Sequence, residues 1–208
     1  MRFHILIFLF TAVAGFSAQG RQDPRGCIAE LVNEFNEDYI VESLTRVEEF
    51  WRSEFERRGW AFHEIGYGLF TGSQETPCGL VKAEQGMIYC PAAHTVYLDP
   101  DYYHEHMKFS GSYFTWAFGY EFGQHVQAML GVTARVMNDY DVVNGQAKLN
   151  YQAACFAGVY FRHLMTSGQI EQEQVTRLEK NLGSDKFNFI KGYSTRDPRV
   201  CSPLLVQR

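Results

Sequence analysis

The sequence contains no cluster of lysines and arginines, no internal repeat and no low-complexity segment. Its formal charge of −5 exerts no overall pull toward nucleic acid or anionic lipid, so neither is expected as a partner. At 208 residues the chain has length for one domain with a sizeable core and not for a second. Charged residues make up only 21%, against 46% hydrophobic, with 17 Phe and 12 Tyr, and a chain so composed folds. A membrane-spanning run is missing as well. Spanning takes roughly 20 apolar residues. The apolar stretch that starts the chain ends before polar Gln19 to Arg25.

That start has another reading. Met1-Arg2 is a short basic opening, Phe3 to Ala14 is apolar, and small residues follow, which is the pattern of a secretory signal. Residues 1–20 are therefore read as a signal peptide, with cleavage after Ala14, Ser17 or Gly20 equally compatible with the small residues there. The expected destination is secreted or periplasmic, with no membrane span after signal cleavage.

Five cysteines follow: Cys27, Cys78, Cys90, Cys155 and Cys201. In an oxidising compartment spaced cysteines pair. Four can form two bridges, which leaves one over. Cys27 is preceded by Asp23-Pro24-Arg25-Gly26, unlike a lipidation site, and is read as a free or intermolecular thiol.

Periodicity suggests the elements. From Cys27 to Arg58 apolar residues recur every three or four positions, predicting a long amphipathic helix or two. Segments in Trp60–Phe70, Gly86–Cys90 and Thr95–Leu98 read as strands of a small antiparallel sheet. Asp99-Pro100 opens a short helix to about Met107. Tyr113 to Leu130 is the most apolar helix after the signal and stops at Gly131. A polar connector, Thr133 to Gln146, leads to a second buried helix, Ala147 to Met165, and Gln169 to Asn181 forms an exposed third. The tail from Gly192 onward reads as irregular.

The informative stretch is Tyr120-Glu121-Phe122-Gly123-Gln124-His125-Val126-Gln127, inside the apolar helix. A carboxylate there is costly unless it has a partner or a task. From the residues alone, Glu121 and His125 are either an i, i+4 helix pair or a catalytic or ligand pair. His104, Glu105 and His106 read as a solvated face of a short helix, and Tyr113, Phe114, Trp116, Phe118 and Phe122 as core.

Several motifs in order resemble one family, the bacterial neutral zinc metallopeptidases, also described as YpfJ-like. Cys78-Gly79, Tyr89-Cys90-Pro91 and Val96-Tyr97-Leu98-Asp99 resemble its approach to the active-site helix. Gly123, His125, Val126, Gln127, Leu130 and Gly131 resemble that helix, and Gln152-Ala153 with Cys155-Phe156-Ala157-Gly158-Val159 a second one. The resemblance implies an α+β, zincin-like single domain, mostly helical with a small antiparallel sheet, over 21–208. It also places Cys78 with Cys90, closing the entry hairpin, and Cys155 with Cys201, tying the tail to the second helix.

The departures matter equally. The family's first helix carries H-E-x-x-H, two imidazoles facing one zinc with a Glu general base between them. The matching positions here are Tyr120, Glu121 and Gln124, so only the base remains. Where the second helix supplies a Glu ligand and an Asp one turn later, this chain has Asn150 and Ala154. A phenol and two neutral carboxamides make a poor zinc set, able instead to close into a polar network with Glu121. The expectation is a pseudo-peptidase without a metal or other cofactor, binding a protein or peptide partner such as an active peptidase relative. Two alternatives stand beside it: a hydrolase with a rearranged zinc site at Glu121 and His125, aided by His163 or Asp139, and a structural envelope protein.

Overall fold

A computed structural model of the chain describes residues 37–102 and 111–201. The signal segment, Cys27, and His104, Glu105 and His106 lie outside the described residues. Helices dominate: α1 Glu37–Arg58, α2 Gly111–Met129, α3 Val132–Asp139, α4 Val142–Thr166, α5 Gln172–Glu179 and α6 Lys186–Tyr193. The strands are short: β1 Gly66–Leu69, β2 Ser73–Thr76, β3 Gly79–Lys82, β4 Met87–Cys90 and β5 Thr95–Leu98. The architecture is α+β with one large core and a small second cluster beside it.

The sheet departs from the sequence reading. β4 pairs β5 antiparallel, but β1 pairs β5 in parallel, giving the order β1-β5-β4, and β2 and β3 form a separate hairpin. A parallel partner needs a long crossover. The segment from Phe70 to His94 supplies one, carrying the hairpin and β4 on the way. Alternation within Gly66-Tyr67-Gly68-Leu69 contains nothing that sets strand direction.

The core is aromatic. Trp51 and Phe55 of α1, Phe114, Phe118 and Phe122 of α2, Phe156 and Phe161 of α4 and Phe189 of α6 are almost wholly buried, against Tyr89, Val96 and Leu98 of the sheet. On α2 these phenylalanines are spaced by four, so one stripe of the helix meets the core. Gly131 ends α2 in the left-handed region, φ +67°, and its N–H donates to the Ala128 carbonyl. At the other end of the sheet, the Asp99 carboxylate accepts from the N–H groups of Asp101 and Tyr102, so the start of that short helix is capped as its sequence suggests.

The structure holds two helices that the periodicity did not suggest. The connector after Gly131 is α3, whose Val132 and Val136, one turn apart, are buried with Leu149. α6 covers a stretch that periodicity left unassigned, only Gly192 and Tyr193 falling in the tail, and it packs against α4 at backbone contact: a Cβ on Gly192 would lie 1.9 Å from the Cys155 carbonyl oxygen, and one on Gly158 2.1 Å from that of Phe189. The bonds Cys78–Cys90 and Cys155–Cys201 are both formed, the second pinning the Pro198–Cys201 turn to α4.

Candidate functional site

At 100° per residue, Tyr120 and Gln124 share one face of α2, while Glu121 and His125 share the next. The aromatic stripe turns Glu121 and His125 inward toward the sheet, where both are buried. Tyr120 and Gln124 stay partly exposed, with the Tyr120 ring tilted against Trp116 at 5.2 Å.

Glu121 is held by β4. Its Oε2 accepts the backbone N–H of Tyr89 at 2.7 Å. Burial pushes its carboxyl up to about 8, and that single hydrogen bond opposes the rise only in part. Glu121 is thus largely protonated at neutral pH.

His125 is the centre of a chain of hydrogen bonds. Its Nε2 lies 2.8 Å from the His63 carbonyl, which only accepts, so Nε2 carries the proton. Burial lowers its pKa to about 4, the hydrogen bond to the His63 carbonyl opposing the fall only in part and the nearby His94 adding to it, so the ring is neutral and Nδ1 is bare. The Tyr89 hydroxyl, 2.9 Å away, therefore donates to Nδ1. With its only proton committed, Tyr89 accepts from His94 Nδ1 at 3.2 Å. Burial raises the Tyr89 phenol well above its ordinary value, which keeps the relay neutral. His94 sits in the left-handed region at φ +49°, uncommon for a residue with a side chain.

The expected polar network among the replaced positions is not what forms. Among the described residues no hydrogen bond joins Tyr120, Gln124 and Asn150 to one another or to Glu121. The reason is competition from nearer partners. Asn150 Oδ1 accepts from Gln146 Nε2, one turn earlier on α4, at 2.8 Å, and Glu121 turns to the β4 amide. Ala154 is wholly buried between α4 and its neighbours. His163, near the end of α4, packs its ring on Phe50 at 4.7 Å, and Asp139 closes α3. Among the described residues no three His, Cys, Asp or Glu side chains are grouped so as to hold a metal.

The donor set does not fit zinc. Burial and the neighbouring Glu121 charge hold the Tyr120 phenol well above its ordinary pKa, so it stays neutral, and Gln124 and Asn150 offer only carboxamide oxygens. His125 has both ring nitrogens engaged.

Sequence reasoning passed over the roles of Tyr89, His63 and His94. Tyr89 stood out only as part of a Tyr-Cys-Pro motif, and no local pattern links it to partners 32 and 36 positions away.

Residues 7–187 match the model of a family described as "Putative neutral zinc metallopeptidase". The chain is 29% identical over 195 residues to the uncharacterized protein YpfJ of Escherichia coli (strain K12), a match covering 76% of this chain and 68% of that relative. It is 34% identical over 107 residues to an uncharacterized protein of Mycobacterium tuberculosis (strain ATCC 25618 / H37Rv), covering 49% of this chain and 36% of the relative. No solved structure matches it.

Proposed function

Since this chain belongs to the neutral zinc metallopeptidase family, we propose that it is a pseudo-peptidase, a secreted or periplasmic member that keeps the family fold, has given up zinc chemistry and serves by binding a protein or peptide partner. The observation that carries this reading is the donor set itself. The three positions where the family pattern places zinc ligands are Tyr120, Gln124 and Asn150. A catalytic zinc needs about three imidazole, thiolate or carboxylate ligands before it lowers the pKa of its water.

Glu121 supports the same reading. A general base must be deprotonated at working pH. Held at about 8 by burial and tied to the Tyr89 amide, this carboxyl is mostly an acid at pH 7. A rearranged site at Glu121 and His125 is disfavoured because both imidazole nitrogens are already engaged, and freeing either leaves Tyr89 or the His63 carbonyl without its partner. Two disulfides fit a destination outside the reducing cytosol. Among the described residues no helix is long and apolar enough to cross a membrane.

Elemental mass spectrometry of the purified protein, paired with a generic peptidase assay that includes Glu121→Gln, tests the proposal. Near-zero zinc and no turnover are expected. Stoichiometric zinc with turnover abolished by Glu121→Gln would overturn it.

A further inference from the structure

Away from the Tyr120–Glu121 face, α3, α4 and α6 line a half-open cavity of about 220 Å³. Lys148 and Lys191 stand on its wall with Asn188 and Gln152, and no carboxylate lines it. Its apolar part comes from Val136, Leu149 and the Cys155–Cys201 bond. The Lys148 ammonium lies 4.6 Å over the Tyr140 ring, which holds that cation at the mouth.

Gln152 is the unusual member. It is only 6% exposed, and both its amide nitrogen and its amide oxygen are buried without a hydrogen-bond partner among the described residues. An unpaired buried carboxamide is destabilising, because it has given up water at both edges without gaining a partner at either. Gln127 of α2 donates to the Leu149 carbonyl. The Trp51 and Trp116 ring nitrogens are also buried without a partner, but among the described residues Gln152 alone leaves both a donor and an acceptor unpaired beside a pocket.

We infer that this cavity binds the carboxy-terminal residue of a peptide. A carboxamide offers one donating and one accepting edge, and a peptide unit, with its C=O and N–H, complements both. A bare inorganic anion would satisfy only the nitrogen. The two lysines answer the terminal carboxylate, and the apolar part takes one aliphatic side chain. The volume is below the roughly 300–1,000 Å³ of sites that enclose drug-sized ligands, in keeping with one terminal residue entering rather than a long segment. Lys148, Tyr151 and Lys191 are exposed, whereas the Gln152 amide is covered, so docking requires side chains at the mouth to rotate and uncover it. The inference is independent of whether the α2 site holds zinc.

Fluorescence anisotropy with fluorescein-labelled Gly-Gly-Ala-Leu, as free acid and as carboxy-terminal amide, tests it on the whole chain. The free acid should bind saturably, and loss of a charge-assisted contact should weaken the amide by about 10-fold or more. Lys148→Met and Lys191→Met should each weaken the acid and leave the amide unmoved. Gln152→Leu should weaken both forms while its melting temperature holds or rises, because it removes an unpaired buried amide. Equal binding of acid and amide, or no saturable binding of the acid below about 5 mM, roughly −3 kcal/mol, overturns the inference.

Discussion

Tyr89 and His125 are joined through a hydroxyl 2.9 Å from Nδ1, and the same tyrosine gives its backbone N–H to Glu121. One residue of an edge strand thus satisfies both buried titratable groups of α2. Glu121 and His125 are neighbours on the helix, yet neither is the other's partner. Each is kept neutral by burial, one as an acid and one as a base, so their contributions to stability slope in opposite directions with pH.

For His125 the folded pKa of about 4 lies below the ordinary 6.5, so the unfolded chain binds the proton first. Its contribution is fully present above pH 6.5 and is lost as pH falls through 4. Across that window the slope is about 1.4 kcal/mol per pH unit, roughly 3 kcal/mol in all. For Glu121 the folded pKa of about 8 lies above 4.5, so its contribution is present below 4.5 and lost as pH rises through 8. Between pH 4.5 and 6.5 the two slopes oppose each other. Urea denaturation in steps across pH 4–8 should therefore show, in the natural chain, a profile that is shallow between pH 4.5 and 6.5 and falls from 6.5 to 8, and His125→Asn should extend that fall down to pH 4.5. A profile in His125→Asn that still climbs from pH 4.5 to 6.5 would contradict the assignment.

Glu121→Gln should act in the converse sense. The amide keeps an acceptor for the Tyr89 N–H while removing the ionisation that burial opposes. At pH 8.5 the variant should be more stable than the natural chain by roughly 5 kcal/mol, the same slope taken from pH 4.5 to 8, with the difference vanishing near pH 4.5. Midpoints of urea denaturation at the two pH values measure this, and equal midpoints at pH 8.5 would show that the carboxylate is not penalised.

Much of this was legible beforehand. The Asp99-Pro100 cap, the Gly131 stop and the buried stripe of α2 follow from local chemistry, and local chemistry is what a sequence displays. α3 escaped because Val132 and Val136 are only two buried positions in a polar octet, and α6 because its burial depends on glycines that let it touch α4. The parallel β1–β5 pairing and the Tyr89–His125 bond are long-range choices, decided by which segments the core brings together. At the candidate site, residue types set Tyr120, Gln124 and Asn150 apart from the ligand pattern that the resemblance implies, but did not show that Glu121 had found a backbone amide.

The α4–α6 contact makes a sharp packing prediction. Gly192→Ala places a Cβ within 1.9 Å of a backbone oxygen, which no rotamer change relieves. Its cost should reach or exceed about 3 kcal/mol, the upper end of ordinary overpacking. Gly168→Ala, at φ +74° with nothing within 4 Å, is the matched control and should cost about 1 kcal/mol from backbone strain alone. Thermal denaturation of the pair separates close packing from conformational preference, and equal losses would mean that the helices can move apart.

The two disulfides should differ. Cys155–Cys201 closes a separation of 46 residues with both sulfurs buried, and Cys78–Cys90 one of 12. Chain-entropy arguments give about 4 kcal/mol for the longer loop and about 3 kcal/mol for the shorter. Paired Cys→Ala variants compared by denaturant midpoint should fall in that order, widened by lost packing at Cys155. The reverse order would show that the Pro198–Cys201 turn docks on α4 without its covalent tie.

The proposed loss of zinc chemistry can itself be tested by reversal. α2 and α4 pass closely at this level: a Cβ on Gly123 would lie 3.0 Å from the Ala153 oxygen, and Gln127 donates to the Leu149 carbonyl. Asn150 therefore sits on the stretch of α4 that faces the Gln124 turn. In the triple variant Tyr120→His, Gln124→His, Asn150→Glu, zinc should bind and raise the melting temperature, as any ligand of the folded state does, by about 2.7 kcal/mol of added stability at 100-fold saturation. Ala154 is best left alone, because a carboxylate at that wholly buried position is penalised whenever the metal is absent. Zinc uptake would mean that three side chains account for the silence of the site. No uptake, with the fold intact by circular dichroism, would mean that the tie from Glu121 to β4 has closed the space between the helices, and that the departure from the family lies in the backbone as well as in the ligands.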